Sequence, residues 1–187
     1  MFGTADNPQN GVKFERLGNI ATYINGFAFK PDDWGAAGLP IIRIQNLTGS
    51  GEAFNYYVGD YPSNVEVNDG DILISWSASL GVYLWQQGKA LLNQHIFKVI
   101  FDKLPIEKNF FMYAVEQVLD EMSSKTHGST MKHIVKKDFD NTLIAYPTME
   151  LQNEFSKLVE QSDKSKLLIE YTVRKIRRFQ NVYGSRF

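Results

Sequence analysis

Asn68–Gly81 reads NDGDILISWSASLG. Asp69-Gly70 is a turn signal, because glycine supplies the positive φ that tight turns require. The apolar run Ile72-Leu73-Ile74 that follows, rich in β-branched residues, predicts a strand. Ser75-Trp76-Ser77-Ala78-Ser79 then reads as a polar loop. Working outward, the same alternation of short apolar runs and turn residues fills 13–147. Leu39–Ile44 (LPIIRI), Asp71–Ser75 (DILIS), Gly81–Trp85 (GVYLW), His95–Phe101 (HIFKVIF) and Thr142–Tyr146 (TLIAY) are the predicted strands. Asn25-Gly26, Gly49-Ser50-Gly51 and Gly128 add punctuation.

One helix interrupts this pattern. Asn109–Met122 (NFFMYAVEQVLDEM) places apolar residues at 111, 114, 115, 118, 119 and 122, a spacing of three and four, with Asn109 as its expected cap. After Pro147 the character changes, since Met149–Tyr183 contains neither glycine nor proline. Pro147 and Thr148 mark a helix start. Apolar residues recur on a heptad grid at Leu151, Phe155, Leu158, Ile169, Ile176, Phe179 and Tyr183, with Ser162, Ser165 and Thr172 on the same grid. The pattern predicts a helix of about 33 residues, ~50 Å long at ~1.5 Å per residue, with a seam suited to a second helix. A terminal helix folded back on its own domain is the other reading. The expected class is thus α+β, a strand-rich domain with a small helix, followed by a long C-terminal coiled-coil helix. Residues 1–12 are expected to be a flexible leader, 13–147 the domain, 148–183 the long helix and 184–187 a tail.

Composition bounds the chemistry. With 43% apolar and 22% charged residues, the 187-residue chain is an ordinary folded protein. It has no cysteine, which removes disulfides and thiolate sites. The opening MFGTADNPQNG has neither the basic nor the apolar region of a signal peptide, so the cytoplasm is the expected compartment and no membrane partner is expected. Phosphate-loop, dinucleotide and nucleophile-elbow motifs do not occur. His127 and His133 stand six apart, off zinc spacing. Asp32-Asp33 and Asp69/Asp71 adjoin turns and read as structural. No catalytic residue, metal or cofactor is expected in the chain.

The net charge of −1 is unusual for a nucleic-acid binder, but it averages an uneven distribution. Residues 1–100 carry six Lys/Arg against nine Asp/Glu, and 101–187 carry fourteen against twelve. Ser123–Lys137 holds four lysines, two histidines and no acid. Tyr171–Phe187, with Arg174, Lys175, Arg177, Arg178 and Arg186, also has no acid; it suits phosphates, a protein partner or a solvated helix face.

Seven segments taken in order resemble the specificity subunits of type I restriction-modification systems. They are Arg16–Ile20 (RLGNI), Asn25–Phe29 (NGFAF), Gly38–Leu47 (GLPIIRIQNL), Asn68–Gly81, Leu91–Ile100 (LLNQHIFKVI), Gly128–Ile134 (GSTMKHI) and Tyr146–Phe155 (YPTMELQNEF). The similarity spans roughly 13–180 and matches one target recognition domain with the spacer helix after it. The family usually has Glu-Gln where this chain has Leu151-Gln152. The resemblance implies a sequence-reading, non-catalytic subunit that binds double-stranded DNA. It also implies a modification subunit that binds S-adenosylmethionine and methylates adenine, and sometimes a restriction subunit. Full-length members carry two recognition domains and two helices paired antiparallel; this chain has one of each, so a homodimer through Leu151, Phe155, Leu158, Ile169, Ile176 and Phe179 is expected.

Three loops carry the side chains expected to meet DNA. Arg43, Gln45 and Asn46 end the run IIRI, where Arg can pair with guanine and Gln or Asn with adenine; a surface ion pair and a turn are the alternatives. Ser75, Trp76 and Ser77 suit a phosphate contact or a wedge, with Trp76 equally suited to a core. Lys125, His127, Ser129, Thr130, Lys132 and His133, together with Gly128, combine glycine, hydroxyls and cations fit to hold a phosphate, or form a solvated basic loop. Asn93-Gln94-His95 reads as structural. Two rivals stand beside DNA reading: a small nuclease, for which no Asp/Glu/Lys cluster is evident, and a coiled-coil interaction protein whose recognition domain no longer binds DNA.

Overall fold

The computed structural model describes residues 3–4, 6–8, 12–51, 53–125, 134–162 and 164–165. The chain divides into two units, Met1–Pro147 and Thr148–Phe187. The strands of the first unit are β1 (Gly3–Thr4), β2 (Asn7–Pro8), β3 (Lys13–Arg16), β4 (Thr22–Asn25), β5 (Leu39–Ile42), β6 (Asn55–Tyr57), β7 (Glu66–Val67), β8 (Ile72–Ser75), β9 (Gly81–Leu84), β10 (Ala90–Leu92), β11 (Ile96–Ile100) and β12 (Leu143–Tyr146). Its helices are α1 (Leu17–Ile20), α2 (Ile44–Thr48), α3 (Lys108–Lys125) and α4 (Lys136–Asn141). The unit is α+β. Within the stretch expected as a leader, β1 and β2 pair antiparallel.

β8 explains the architecture. All four of its residues are buried, because each face of the strand meets its own core. Side chains alternate across a strand. Ile72 and Ile74 enter one cluster with Tyr23, Phe97, Phe111 and Phe139. Leu73 enters a second with Ile41, Ile42, Leu91 and Leu92. β11 divides in the same way, Phe97 and Val99 to the first cluster and Ile96 to the second. Both strands lie inside an antiparallel sheet of order β4-β11-β8-β9. A second sheet, β6-β5-β10-β7, supplies the other core; β5 and β10 run parallel in it. β12 pairs with β3 and ties residue 146 back to residue 13.

α3 packs on the first core through Phe111, Val115 and Leu119, spaced by four on one helix face. Its cap is Glu107 rather than the expected Asn109: the Glu107 carboxylate accepts the Phe110 N–H at 2.7 Å and its carbonyl accepts the Phe111 N–H at 2.9 Å. The strand expected to reach Ile44 stops at Ile42. Arg43 is extended, Asn46 Oδ1 accepts the Arg43 N–H at 3.0 Å, and Gly49 closes α2 in the left-handed region at φ 70°. Within β11, Lys98 is buried and donates Nζ to the Glu66 carbonyl of β7, which links the two sheets.

In the second unit residues 149–162 are helical. The Thr148 carbonyl accepts the Gln152 N–H at 3.0 Å, so the helix starts where Pro147-Thr148 predicts. The Glu150 carboxyl is held below the usual carboxylate range by its own backbone N–H and by the Thr148 hydroxyl. Leu151 and Leu158, seven apart, are exposed, and Phe155 is half-buried. The rest of the expected long helix, with Ile169, Thr172, Ile176, Phe179 and the basic Arg174–Arg186 stretch, lies outside the described residues. No described helix is long and apolar enough to cross a membrane.

Candidate nucleic-acid interface

Five strand ends meet at one rim of the first unit. β5 runs parallel to β10, with Ile42 opposite Leu92, so Arg43 emerges beside Asn93. The Asn93 N–H donates to the Ile42 carbonyl at 3.2 Å. β4 and β8 flank β11, with Asn25 opposite Phe97 and Ser75 opposite Ile96, so Gly26-Phe27 and Trp76 reach the same rim. The Phe27 N–H donates to the Leu92 carbonyl, and the Gln94 N–H to the Phe27 carbonyl, both at 2.9 Å. A Cβ on Gly26 would stand 2.0 Å from the Asn93 carbonyl oxygen, so the approach of these two strands requires glycine there.

The Arg43 loop is built from its own side chains. Asn46 Nδ2 donates to the Gly51 and Ala53 carbonyls, both at 3.1 Å, while its Oδ1 holds the Arg43 N–H. Its amide therefore closes the loop between 43 and 53; a paired contact to adenine would give up those bonds. Gln45 is exposed. Arg43 donates from Nη2 to the Ala53 carbonyl at 3.1 Å and lies over the Trp34 ring, 5.3 Å from its centroid.

The β8–β9 loop is packed rather than open. Ser75 is fully buried and donates to the Ser79 carbonyl at 2.5 Å, and Ser77 is buried too. Both side chains are turned inward, whereas the sequence reading expected Ser75 and Ser77 to face a phosphate. Trp76 stacks on Phe97 at 5.5 Å and meets the His95 ring edge-on at 5.0 Å, so its half-buried indole packs against the first core. The outward residues are Ala78 and Ser79. Ala78 and His95 are the two non-glycine residues at positive φ among the described residues, at 59° and 71°. They sit in neighbouring turns, joined where the Trp76 N–H donates to the His95 carbonyl at 3.2 Å. Strained backbone of this kind gathers at functional loops.

α3 ends at Lys125, and the chain is next described at Ile134, whose N–H donates to the Trp76 carbonyl at 3.0 Å. His127, Ser129, Thr130, Lys132 and His133 lie outside the described residues, as does the side chain of Lys125. The far end of that basic segment is thereby anchored on the rim loop. Sequence reasoning missed Phe27 and Trp34, both more than a third exposed. Trp34 had a signal, a large aromatic inside the turn-rich PDDWG. Asn93 and Gln94 had none, because their place depends on the pairing of β5 with β10.

The family model for the type I restriction modification DNA specificity domain matches residues 9–176. The EcoBI type I restriction enzyme specificity subunit of Escherichia coli is 27% identical over 170 residues, covering 88% of this chain and 36% of that protein. The MjaVIII specificity subunit of Methanocaldococcus jannaschii is 26% identical over 97 residues, 52% of this chain and 23% of that protein. The chain thus spans about a third or less of these relatives. Among solved structures, the HsdS subunit from Thermoanaerobacter tengcongensis superposes with a TM-score of 0.64 at 18% identity, over 89% of this chain and 41% of that one. The type I system S subunit from M. genitalium gives 0.59 at 14% identity, over 95% and 46%. These likenesses concern the fold, and the family match covers both units: the chain belongs to the type I restriction-modification DNA specificity domain family.

Proposed function

We propose that the chain reads one half-site of a bipartite duplex DNA target and recruits a modification subunit, which binds S-adenosylmethionine and methylates adenine. It performs no chemistry itself, and a restriction subunit can join the same assembly. The observation that carries this reading is the convergence on one rim of Arg43, the Ala78-Ser79 loop tip, the Asn93–His95 turn and the anchored end of the basic segment at Ile134. Positioning contacts to phosphate and reading contacts to bases call for such a mixed surface, with cations beside neutral polar groups. A net charge of −1 fits if the cations are gathered locally.

The test pairs a salt titration with methylome mapping. The purified chain should bind duplex DNA with an affinity that falls linearly in log–log against salt. Replacing Lys125 or Lys132 by Ala should lower that slope by about one unit on every sequence. Co-expression with its modification subunit should place methyl groups on adenines in one recurring motif. Salt-independent binding with no methylated motif would sink the proposal and favour an interaction protein built on the exposed Leu151 and Leu158.

A further inference from the structure

We propose that Trp34 is a positioning residue for Arg43 and that the pair reads a guanine in the DNA target; this rests on the DNA-reading function proposed above. A free arginine samples many rotamers and loses that freedom when it binds. Arg43 has already lost it. The guanidinium lies over the Trp34 indole at 5.3 Å, Nη2 is bonded to the Ala53 carbonyl at 3.1 Å, and the backbone N–H is held by Asn46. β5 fixes the point from which the side chain departs, since the Ile42 carbonyl is bonded to the Asn93 N–H. Trp34 is 39% exposed, so the ring that supports the guanidinium also borders solvent. Arg43 Nε is buried and has no acceptor among the described residues.

Guanine is favoured over phosphate by the local charge. Residues 30–53 carry two cations, Lys30 and Arg43, against three carboxylates, Asp32, Asp33 and Glu52. Asp33 Oδ2 is occupied by the Lys30 N–H at 2.7 Å, one residue from Trp34. A phosphate would enter a region without net positive charge. A base edge carries no net charge, and guanine offers O6 and N7 as paired acceptors for a planar guanidinium. The neighbouring Asn93 and Gln94 are likewise neutral.

The experiment uses the full chain and its mapped target, with each base pair replaced in turn and affinity read by fluorescence anisotropy. Wild type should discriminate at one G·C pair by roughly five- to a hundredfold. Trp34→Leu and Arg43→Lys should each reduce that factor to within about twofold at the same pair, leaving the preferences elsewhere in place. Trp34→Phe, which keeps a ring face, should retain most of it. Thermal melts of all three variants establish that they are folded, and Trp34→Phe with Arg43→Lys suffice if Trp34→Leu is not. Unchanged profiles in folded variants overturn the inference. A loss equal on all sequences, with a shallower salt slope, overturns it in favour of a phosphate contact. Wild type that binds DNA without any preference overturns the half-site reading itself, a result distinct from the other two.

Discussion

At the scale of single residues, Tyr23 shows how the core constrains a titratable group. Its ring packs edge-on against Phe139 at 4.9 Å and its hydroxyl donates to the Leu17 carbonyl at 3.0 Å. Burial, and then the nearby Asp140 carboxylate, push its ionisation well above the ordinary tyrosine value of 10.0. The folded chain favours the neutral phenol, so this stabilisation is complete below pH 10 and is lost as pH rises toward the folded value. Tyr146 is displaced in the same direction, by burial and then by Glu15. Tyr23→Phe should cost about 1 kcal/mol at neutral pH, through the lost hydrogen bond. Denaturant midpoints above pH 10 should fall less steeply for this variant than for wild type. A parallel pH profile would show that Tyr23 ionises normally in the folded chain.

At the scale of elements, the apolar runs legible in the sequence became β5, β8, β9, β11 and β12, and the spacing of three and four became α3. Those segments carry enough apolar surface to declare themselves. β7 has two residues and β10 three, and they become strands only because β5 and the buried face of Leu73 complete them. α4 (KKDFDN) has one apolar residue, Phe139, and nothing periodic to read. The site was legible in the same partial way. Arg43 was visible as a cation ending a strand, but its companion Trp34 is brought to it by the turn before β5, and Asn93 by a pairing across some fifty residues of chain. Ser75 misled because a serine beside a loop looks exposed, whereas the Ser79 carbonyl satisfies its hydroxyl inside. α3 supports a second prediction. Phe111 is fully buried, so Phe111→Ala should destabilise the chain by about 3–5 kcal/mol. Glu116→Ala, on the exposed side of the same helix, should stay within about 0.5 kcal/mol. Equal losses in chemical denaturation would contradict this account of the helix face.

At the scale of the whole molecule, the half-site reading proposed above gives the exposed Leu151 and Leu158 a role, as a helix surface suited to pairing with a second helix. The simplest partner is a second copy, related by a two-fold axis. Two identical readers then require two inverted copies of one half-site with a fixed gap, as half-site geometry follows protein symmetry. Light scattering across a concentration series should reveal a monomer–dimer equilibrium, weakened by the small polar Ser162 and Ser165, and the methylated motif should be palindromic. A chain that stays single-copy with its modification subunit, or an asymmetric motif, would favour a heterodimer with another half-reader. The two-sided burial of β8 has a consequence for following all of these variants. Its residues face a core on either side and its neighbours β11 and β9 cover both edges, so its amides should be among the slowest of the unit to exchange. Deuterium should reach the backbone at Leu73 and Ile74 chiefly through opening of the whole unit. The exchange rate of the Leu73 and Ile74 amides, away from the rim end at Ser75, should therefore serve as a gauge of global stability in the variants.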